Sequence, residues 1–172
     1  VYLDSSDNFL RHNRMVENNY NFIGELLTYG MQTPYNDIDI SNTVNGKPIY
    51  YLFNQTDLDI NPSTFPDIGY LGLINCSNVT VQDLTLTSNG EGMLLSQCFN
   101  CTIKSNILEN NLVGIPARTD NASISDNIIS GNYHGITLMG YYNQIANNTI
   151  ANNTFRLSSY RVHLEVGKLI EN

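Results

Sequence analysis

Three cysteines are the residues of this sequence whose type and spacing most directly suggest chemistry. Cys98 and Cys101 form a Cys-x-x-Cys motif, and Cys76 precedes them in the chain. Three thiols would make a soft ligand set of the kind that suits Cu(I). The sequence has no second Cys-x-x-Cys motif and no histidine near these positions. We therefore treat them as a weak metal candidate and expect no cofactor.

Two pairs of aspartates are the next candidates. Asp37 and Asp39 form one pair, and Asp57 and Asp59 form the other. Residues two apart on a strand point the same way, and paired carboxylates can act as general acid and base in glycoside hydrolysis. An enzyme acting on uronates would also need a cation nearby, and only Lys47 is close in the sequence. Solvated acids on an acidic surface are the preferred interpretation.

Aromatic side chains could bind a ligand without catalysis. An exposed tyrosine combines an apolar face with a polar tip, which suits stacking on sugar rings. The alternative is that these side chains fill corners of the fold. The candidates are Tyr50, Tyr51, Tyr133, His134, Tyr141 and Tyr142.

The elements that position these residues come from a short internal repeat. Ile103, Ile124 and Ile145 are evenly spaced along the chain at the period of this repeat. Short β-branched pieces with period-two alternation, separated by Asn, Gly and Ser, predict strand–turn units rather than paired helices. Such a period marks a solenoid, whose units bury their apolar faces on their neighbours. We predict an all-β fold, a right-handed parallel β-helix of about eight coils of about 21–22 residues.

Asparagine recurs in register with the apolar positions. Asn tolerates left-handed backbone geometry in turns, and stacked Asn side chains can hydrogen-bond along a ladder. The predicted ladder positions are Asn100, Asn106, Asn111, Asn121, Asn127, Asn132, Asn143, Asn148 and Asn153.

We expect a single β-helix domain over residues 1–172. The repeats are regular over residues 69–153, whereas the period breaks down over 20–68, where longer loops must leave the coils. The chain opens in mid-repeat, so we expect a fragment of a longer protein. Uncapped coils expose strand edges and invite end-to-end self-association. Cys76 and Cys98 should stack in neighbouring coils, which is compatible with a disulfide or with a ladder of buried thiols.

Charge and hydropathy exclude some classes of partner, and sequons indicate a possible modification. The net charge is −8 with eight Lys plus Arg and no basic cluster, which argues against nucleic acid and anionic membranes. No apolar run approaches the ~20 residues that span a bilayer. Several N-x-S/T sequons would permit glycosylation of an exported protein, and Asn54 is the most available of them.

The coil motif G-I-x-L…N-x-I-x-x-N-x-I-x-x-N, found from Gly135 to Asn153, resembles the repeats of NosD-like proteins. These are grouped with carbohydrate-binding proteins and sugar hydrolases of the pectin-lyase-like superfold. Residues 37–51 and 72–81 are similar to archaeal surface-protein versions, and the resemblance covers essentially the whole chain. It implies an exported protein that is extracellular, on the cell surface or periplasmic. NosD is linked to copper-centre assembly, yet no family motif here places a copper ligand.

The preferred function is a non-catalytic module that serves as a structural spacer or binds carbohydrate. Its expected partners are glycans or other cell-surface proteins. The alternative is a polysaccharide-acting lyase, hydrolase or epimerase that uses the paired aspartates. A third interpretation, implied only by the resemblance, is copper handling.

Overall fold

A computed structural model describes residues 1–3, 5–24, 35–160 and 164–166. These residues form strands and turns without a helix, and they wind as a parallel β-helix, so the predicted fold is confirmed. The described part of the chain contains no helix long and apolar enough to cross a membrane. Within the stretch 20–68, where longer loops are expected, residues 25–34 lie outside the described residues.

Each regular coil contributes one strand to each of three sheets. The largest sheet has eight strands: β2 (Arg14–Met15), β4 (Thr43–Val44), β5 (Lys47–Phe53), β7 (Tyr70–Ile74), β10 (Met93–Phe99), β13 (Val113–Asp120), β16 (His134–Met139) and β19 (Phe155–Tyr160). The second sheet has six: β6 (Asp59–Ile60), β8 (Thr80–Gln82), β11 (Thr102–Lys104), β14 (Ser123–Ser125), β17 (Asn143–Ala146) and β20 (Leu164–Val166). The third has four: β9 (Thr85–Thr87), β12 (Ile107–Glu109), β15 (Ile128–Ser130) and β18 (Thr149–Ala151). A separate two-stranded sheet pairs β1 (Phe9–Leu10) with β3 (Asp37–Ile38).

The core consists of columns of equivalent apolar residues. Ile103 pairs in register with Val81 on one side and with Ile124 on the other, and Ile124 pairs with Ile145. All four side chains have no exposed surface. Because each coil covers the apolar face of the next, stacking itself removes these side chains from water.

A glycine column allows the coils to approach closely. A Cβ placed on Gly92 would lie 2.5 Å from the carbonyl oxygen of Gly114, and one on Gly114 would lie 2.6 Å from that of Gly135. Such distances exclude any side chain unless the backbone moves. This contact explains why the repeat begins with glycine.

The first coils are irregular, and this accounts for the difference in coil number. The structure contains about five regular turns rather than eight. Asn45 and Gly46 have positive φ values of 51° and 82° and form a two-residue hairpin, so that β4 pairs antiparallel with β5. Leu10 pairs with Ile38, which makes that coil longer than the regular ones. Residues used in the hairpin and the long coil are not available for further turns.

Asparagine ladders line the inside of two corners, as the repeat predicted. In one ladder, Oδ1 of Asn127 accepts hydrogen bonds from the backbone N–H (2.9 Å) and Nδ2 (3.0 Å) of Asn106. Nδ2 of Asn127 donates to the carbonyl oxygen of Ile103 and to Oδ1 of Asn148, both at 2.9 Å. Asn111, Asn132 and Asn153 form the second ladder in the same way. These amides satisfy backbone groups that the corners would otherwise bury without partners.

Replacing Asn127 with Ala should destabilise the protein strongly. The change leaves the Asn106 N–H and the Ile103 carbonyl oxygen buried without partners, which costs on the order of 3 kcal/mol. The matched control is Asn121→Gly, because Asn121 is exposed and glycine tolerates its positive φ. Urea denaturation followed by circular dichroism measures both variants. Equal losses of stability would contradict the role assigned to the inner ladder.

Candidate functional site

The three thiols lie inside the coil wall, at the corner between the eight-stranded and six-stranded sheets. Cys76, Cys98 and Cys101 are free and have 1%, 4% and 1% exposure. The Phe99 N–H donates to the Cys76 carbonyl oxygen at 3.0 Å, which places Cys76 and Cys98 side by side in neighbouring coils. The Sγ of Cys76 donates to the carbonyl oxygen of Leu52 at 3.4 Å, and that of Cys98 lies 3.3 Å from a neighbouring carbonyl oxygen. The thiols therefore already have partners in the wall.

The thiols differ in acidity because two of them share a hydrogen bond. The Cys98 thiol donates to Cys101, which lowers the pKa of Cys101 to about 7. The same bond, together with burial, raises the pKa of Cys98. Burial raises the pKa of Cys76. Cys101 is thus the thiol that ionises most readily.

The first aspartate pair is engaged in ion pairs. The Arg11 guanidinium contacts Asp37 at 2.7 Å and Asp39 at 3.0 Å. A hydrogen bond from the Ser41 hydroxyl lowers the pKa of Asp39. Both carboxylates are therefore paired with one guanidinium, which does not suit a general acid.

The second pair bonds to the following coil. Asp57 accepts a hydrogen bond from Asn78 at 3.1 Å, and Asp59 accepts one from Gln82 at 2.9 Å. Asp59 lies on β6 of the six-stranded sheet, whereas Asp37 lies on β3 of the two-stranded sheet. The two pairs therefore lie on different sheets, with the hairpin at Asn45 between them in the chain.

The predicted aromatic residues fall into three environments. Tyr51 is buried, and Tyr50 is half-buried against Phe65 with ring centroids 5.3 Å apart. Tyr133 and His134 pack with Phe155 in an exposed cluster, with ring centroids 4.9–5.4 Å apart. Tyr141 and Tyr142 are 53% and 70% exposed, and they stand at the corner that carries the thiols on its inner side.

A third ladder, which the sequence analysis did not separate from the two inner ones, runs along the outside of this corner. Nδ2 of Asn121 donates to Oδ1 of Asn100 at 2.9 Å, and Nδ2 of Asn100 donates to Oδ1 of Asn78 at 2.8 Å. Each residue of this outer column is exposed and left-handed, with φ of 53–55° for these three. The column begins at Asp57 and reaches Tyr142, whose φ is 59°.

Asn143 bonds across coils, as a ladder residue should, but it lies on the inner side of this corner and not in the outer column. Asn143 is fully buried, and its Oδ1 accepts a hydrogen bond from the Ala122 N–H at 2.9 Å. The preceding residue, Tyr142, takes the outer position one repeat after Asn121. The sequence signal for this shift is the spacing from Asn121 to Asn143, which exceeds that from Asn100 to Asn121 by a single position.

A shallow groove lies beside the outer column, and we call it the Tyr142 groove. Its volume is about 200 Å³, and three successive coils contribute to it. Amides, hydroxyls and one aromatic ring supply its polar groups. The lining residues are Asn100, Cys101, Thr102, Asn121, Ala122, Ser123, Tyr142 and Gln144. Such a surface offers both hydrogen-bond donors and acceptors, and none of its side chains is a cation.

Another groove of about 370 Å³ lies at a different corner. It is also rich in amides and includes Tyr20, which is 41% exposed. Its lining residues are Asn18, Asn19, Tyr20, Ser88, Asn110, Asn111 and Gly131. This Tyr20 groove provides a natural comparison for the Tyr142 groove.

Sequence reasoning also missed the buried carboxylate of Glu91, which contacts a residue near the start of the chain. Oε2 of Glu91 accepts hydrogen bonds from the Tyr70 hydroxyl at 3.0 Å and from the Gly24 N–H at 2.9 Å. Burial raises the pKa of Tyr70 well above its usual range, so Tyr70 stays a donor. These two hydrogen bonds connect the first coil to the rest of the solenoid. A lone Glu in a polar repeat gives no signal for it.

Asn54, the predicted glycosylation site, is exposed at a left-handed corner with φ of 54°. Its Oδ1 accepts a hydrogen bond from Asn75 at 2.6 Å. Asn54 and Asn75 thus form a short outer ladder of the same kind as that of Asn100 and Asn121.

Comparison with known proteins identifies the family. The sequence profile described as "Periplasmic copper-binding protein (NosD)" matches residues 30–167, which is most of the chain. The chain belongs to the NosD family. This family is periplasmic by description, in agreement with that part of the predicted location. No curated protein and no solved structure matches the chain.

Membership in the NosD family raises the question of copper, and the residues present do not fit a copper site. A site needs several donors that converge on one point and are accessible to the ion. Within the described residues, no group of three or more His, Cys, Asp or Glu side chains is arranged to hold a metal ion. The thiols are buried and hydrogen-bonded to backbone carbonyls or to each other.

Titration with Cu(I) in competition with a chromogenic chelator should therefore give no stoichiometric complex with the native chain. The same chain unfolded in urea should take up Cu(I), because its thiols are then accessible. Retention of one equivalent by the native chain, lost in a Cys98→Ser variant, would contradict this account.

Proposed function

We propose that this NosD-family chain is a non-catalytic module that binds carbohydrate chains at the Tyr142 groove. It would do so as part of an exported protein, in the periplasm or at the cell surface. The groove is open, shallow and polar, and it extends over several coils. An extended polymer that lies on the surface suits this shape better than a small molecule, which usually binds in a deeper pocket.

The chemistry of the groove supports a sugar ligand. Sugar hydroxyls both donate and accept hydrogen bonds, and so do the amides of Asn100 and Asn121 and the hydroxyls of Thr102 and Ser123. The register pairs Thr102 with Ser123 and Ser123 with Gln144. Equivalent polar groups therefore recur at one strand spacing, about 4.8 Å. This repetition matches a polymer of similar units.

Tyr142 is the observation that carries the proposal. It occupies a left-handed position with φ of 59° that asparagine occupies in the two preceding coils, and it is 70% exposed. Left-handed backbone is unfavourable for a bulky residue, and most of the other left-handed corners of this chain carry Asn, Asp or Ser instead. An exposed aromatic ring kept at a strained position, beside a groove of amides, supports a stacking role on sugar rings.

An enzymatic role has less support. The carboxylates of Asp37 and Asp39 are paired with Arg11, and those of Asp57 and Asp59 are bonded to amides of the next coil. None of the four lines the Tyr142 groove. A spacer remains the alternative if no glycan binds.

Replacing Tyr142 with Asn should separate binding from stability. The variant should lose most of its retardation in affinity electrophoresis against a panel of neutral and acidic polysaccharides. It should also be more stable than the native chain by about 1 kcal/mol, because Asn tolerates left-handed geometry and can extend the outer ladder. Urea denaturation measures the second effect.

The matched control is Tyr20→Asn, which removes the aromatic ring of the Tyr20 groove. Loss of binding in this variant alone would move the site to that groove and overturn our assignment. Absence of retardation of the native chain across the panel would favour the spacer.

The double variant Asp57→Asn, Asp59→Asn should bind polysaccharide as the native chain does. Asparagine keeps an oxygen that can accept the hydrogen bonds from Asn78 and Gln82. The polymer recovered after incubation should have its original length, measured by size-exclusion chromatography. Shortening by the native chain, abolished in the double variant, would establish an enzyme instead.

A further inference from the structure

We infer that the Tyr142 groove selects uncharged glycans and holds them parallel to the solenoid axis, one sugar unit per coil. This inference rests on the proposed function, because it concerns the ligand class of the same groove.

The lining of the groove points to an uncharged ligand. Its side chains are amides, hydroxyls, a buried thiol, a methyl group and a phenol, and none of them is a cation that could pair with a carboxylate. A uronate carboxylate accepts hydrogen bonds only, and its recognition in proteins usually relies on Arg or Lys. A neutral sugar both donates and accepts hydrogen bonds, so it can pair with both the NH2 group and the carbonyl oxygen of each amide in the outer column.

The charges around the groove also disfavour an anionic ligand. Asp120 immediately precedes Asn121, is exposed, and accepts the N–H of Tyr141 at 2.7 Å. Asp57 heads the outer column. Lys104 and Arg118 lie on β11 and β13 but do not line the groove, and Arg118 is engaged in contacts of its own. The net charge of the whole chain is −8, so the protein repels an acidic polymer.

The direction of the ligand follows from the ladder. The equivalent groups in the groove come from successive coils, so they line up along the axis and across the strands. Their spacing of about 4.8 Å is close to the length of one hexopyranose unit in an extended chain. Three coils contribute polar groups: Asn100 with Thr102, Asn121 with Ser123, and Tyr142 with Gln144.

The test compares each neutral polymer with its own carboxymethyl derivative. Hydroxyethyl cellulose, galactomannan, dextran and starch are titrated into the chain by calorimetry at low and high NaCl, next to their carboxymethyl forms. For each backbone that binds, the carboxymethyl form should bind about fivefold more weakly at low salt. The difference should narrow at high salt, where the charges are screened.

A gain-of-function variant sharpens the test. Ser123→Lys places an ammonium group inside the groove and should raise the affinity for the carboxymethyl polymer to at least that of its neutral form. Thr85→Lys is the control, because Thr85 is exposed on β9 outside the groove and the change adds the same net charge. It should leave the preference for the neutral polymer in place.

Length dependence tests the direction. Neutral oligosaccharides of the backbone that binds should gain affinity with each unit up to about three, one for each coil of the groove, and little beyond. Affinity that is already complete with one unit would contradict axial binding.

The outcomes distinguish this inference from the function on which it rests. Equal or tighter binding of carboxymethyl polymers by the native chain would overturn the uncharged ligand class and leave carbohydrate binding intact. Binding of no polymer in either series would overturn the carbohydrate function itself. Binding of carboxymethyl polymer that disappears in Lys104→Gln would show that Lys104, and not the neutral lining, selects the ligand.

Discussion

The constraint on which this structure depends is that every coil must turn three corners without burying an unpaired backbone group. Each corner is turned by a left-handed residue, such as Asn100, Ser105 and Asn110 in one coil, with φ of 53–56°. At two of the corners the next residue points inward, and its amide bonds to the backbone of neighbouring coils. Unsatisfied buried groups are costly, so the polar ladders are as necessary to the stack as the apolar columns.

The same constraint leaves the outer side of a corner free to vary. The residue at a left-handed corner must tolerate that backbone geometry, but its side chain points to water and does not belong to the core. Asn100 and Asn121 use this freedom to form an exposed ladder, and Tyr142 uses it to present a ring. A function that needs surface groups at a fixed spacing can therefore be added to the solenoid without changing its core.

The period was sufficient to predict the parts of the structure that repeat by necessity. Ile103, Ile124 and Ile145 share a column because stacking demands it, and Asn106, Asn127 and Asn148 do so because corners demand it. The coil number was overestimated because a hairpin consumes residues without adding a turn. The inner and outer ladders were confused because adjacent residues of a corner point in opposite directions. Moving the repeat register by one residue therefore exchanges a buried Asn143 for an exposed Tyr142. A repeat period that is known only to within one residue does not tell the inner position from the outer one.

The environment of the buried thiols supports placing the proposed binding site on the outer side of this corner. The strands that follow this corner pair in register, so Val79, Cys101, Ala122 and Asn143 occupy the same inner position of successive coils. Residues as different as Val, Ala and Cys serve there because each is small enough to fill the wall, which is the usual behaviour of a buried free cysteine. Family membership alone would direct attention to these sulfurs. Packing explains them without a ligand, whereas Tyr142, on the other side of the same corner, presents an exposed ring from a left-handed backbone position.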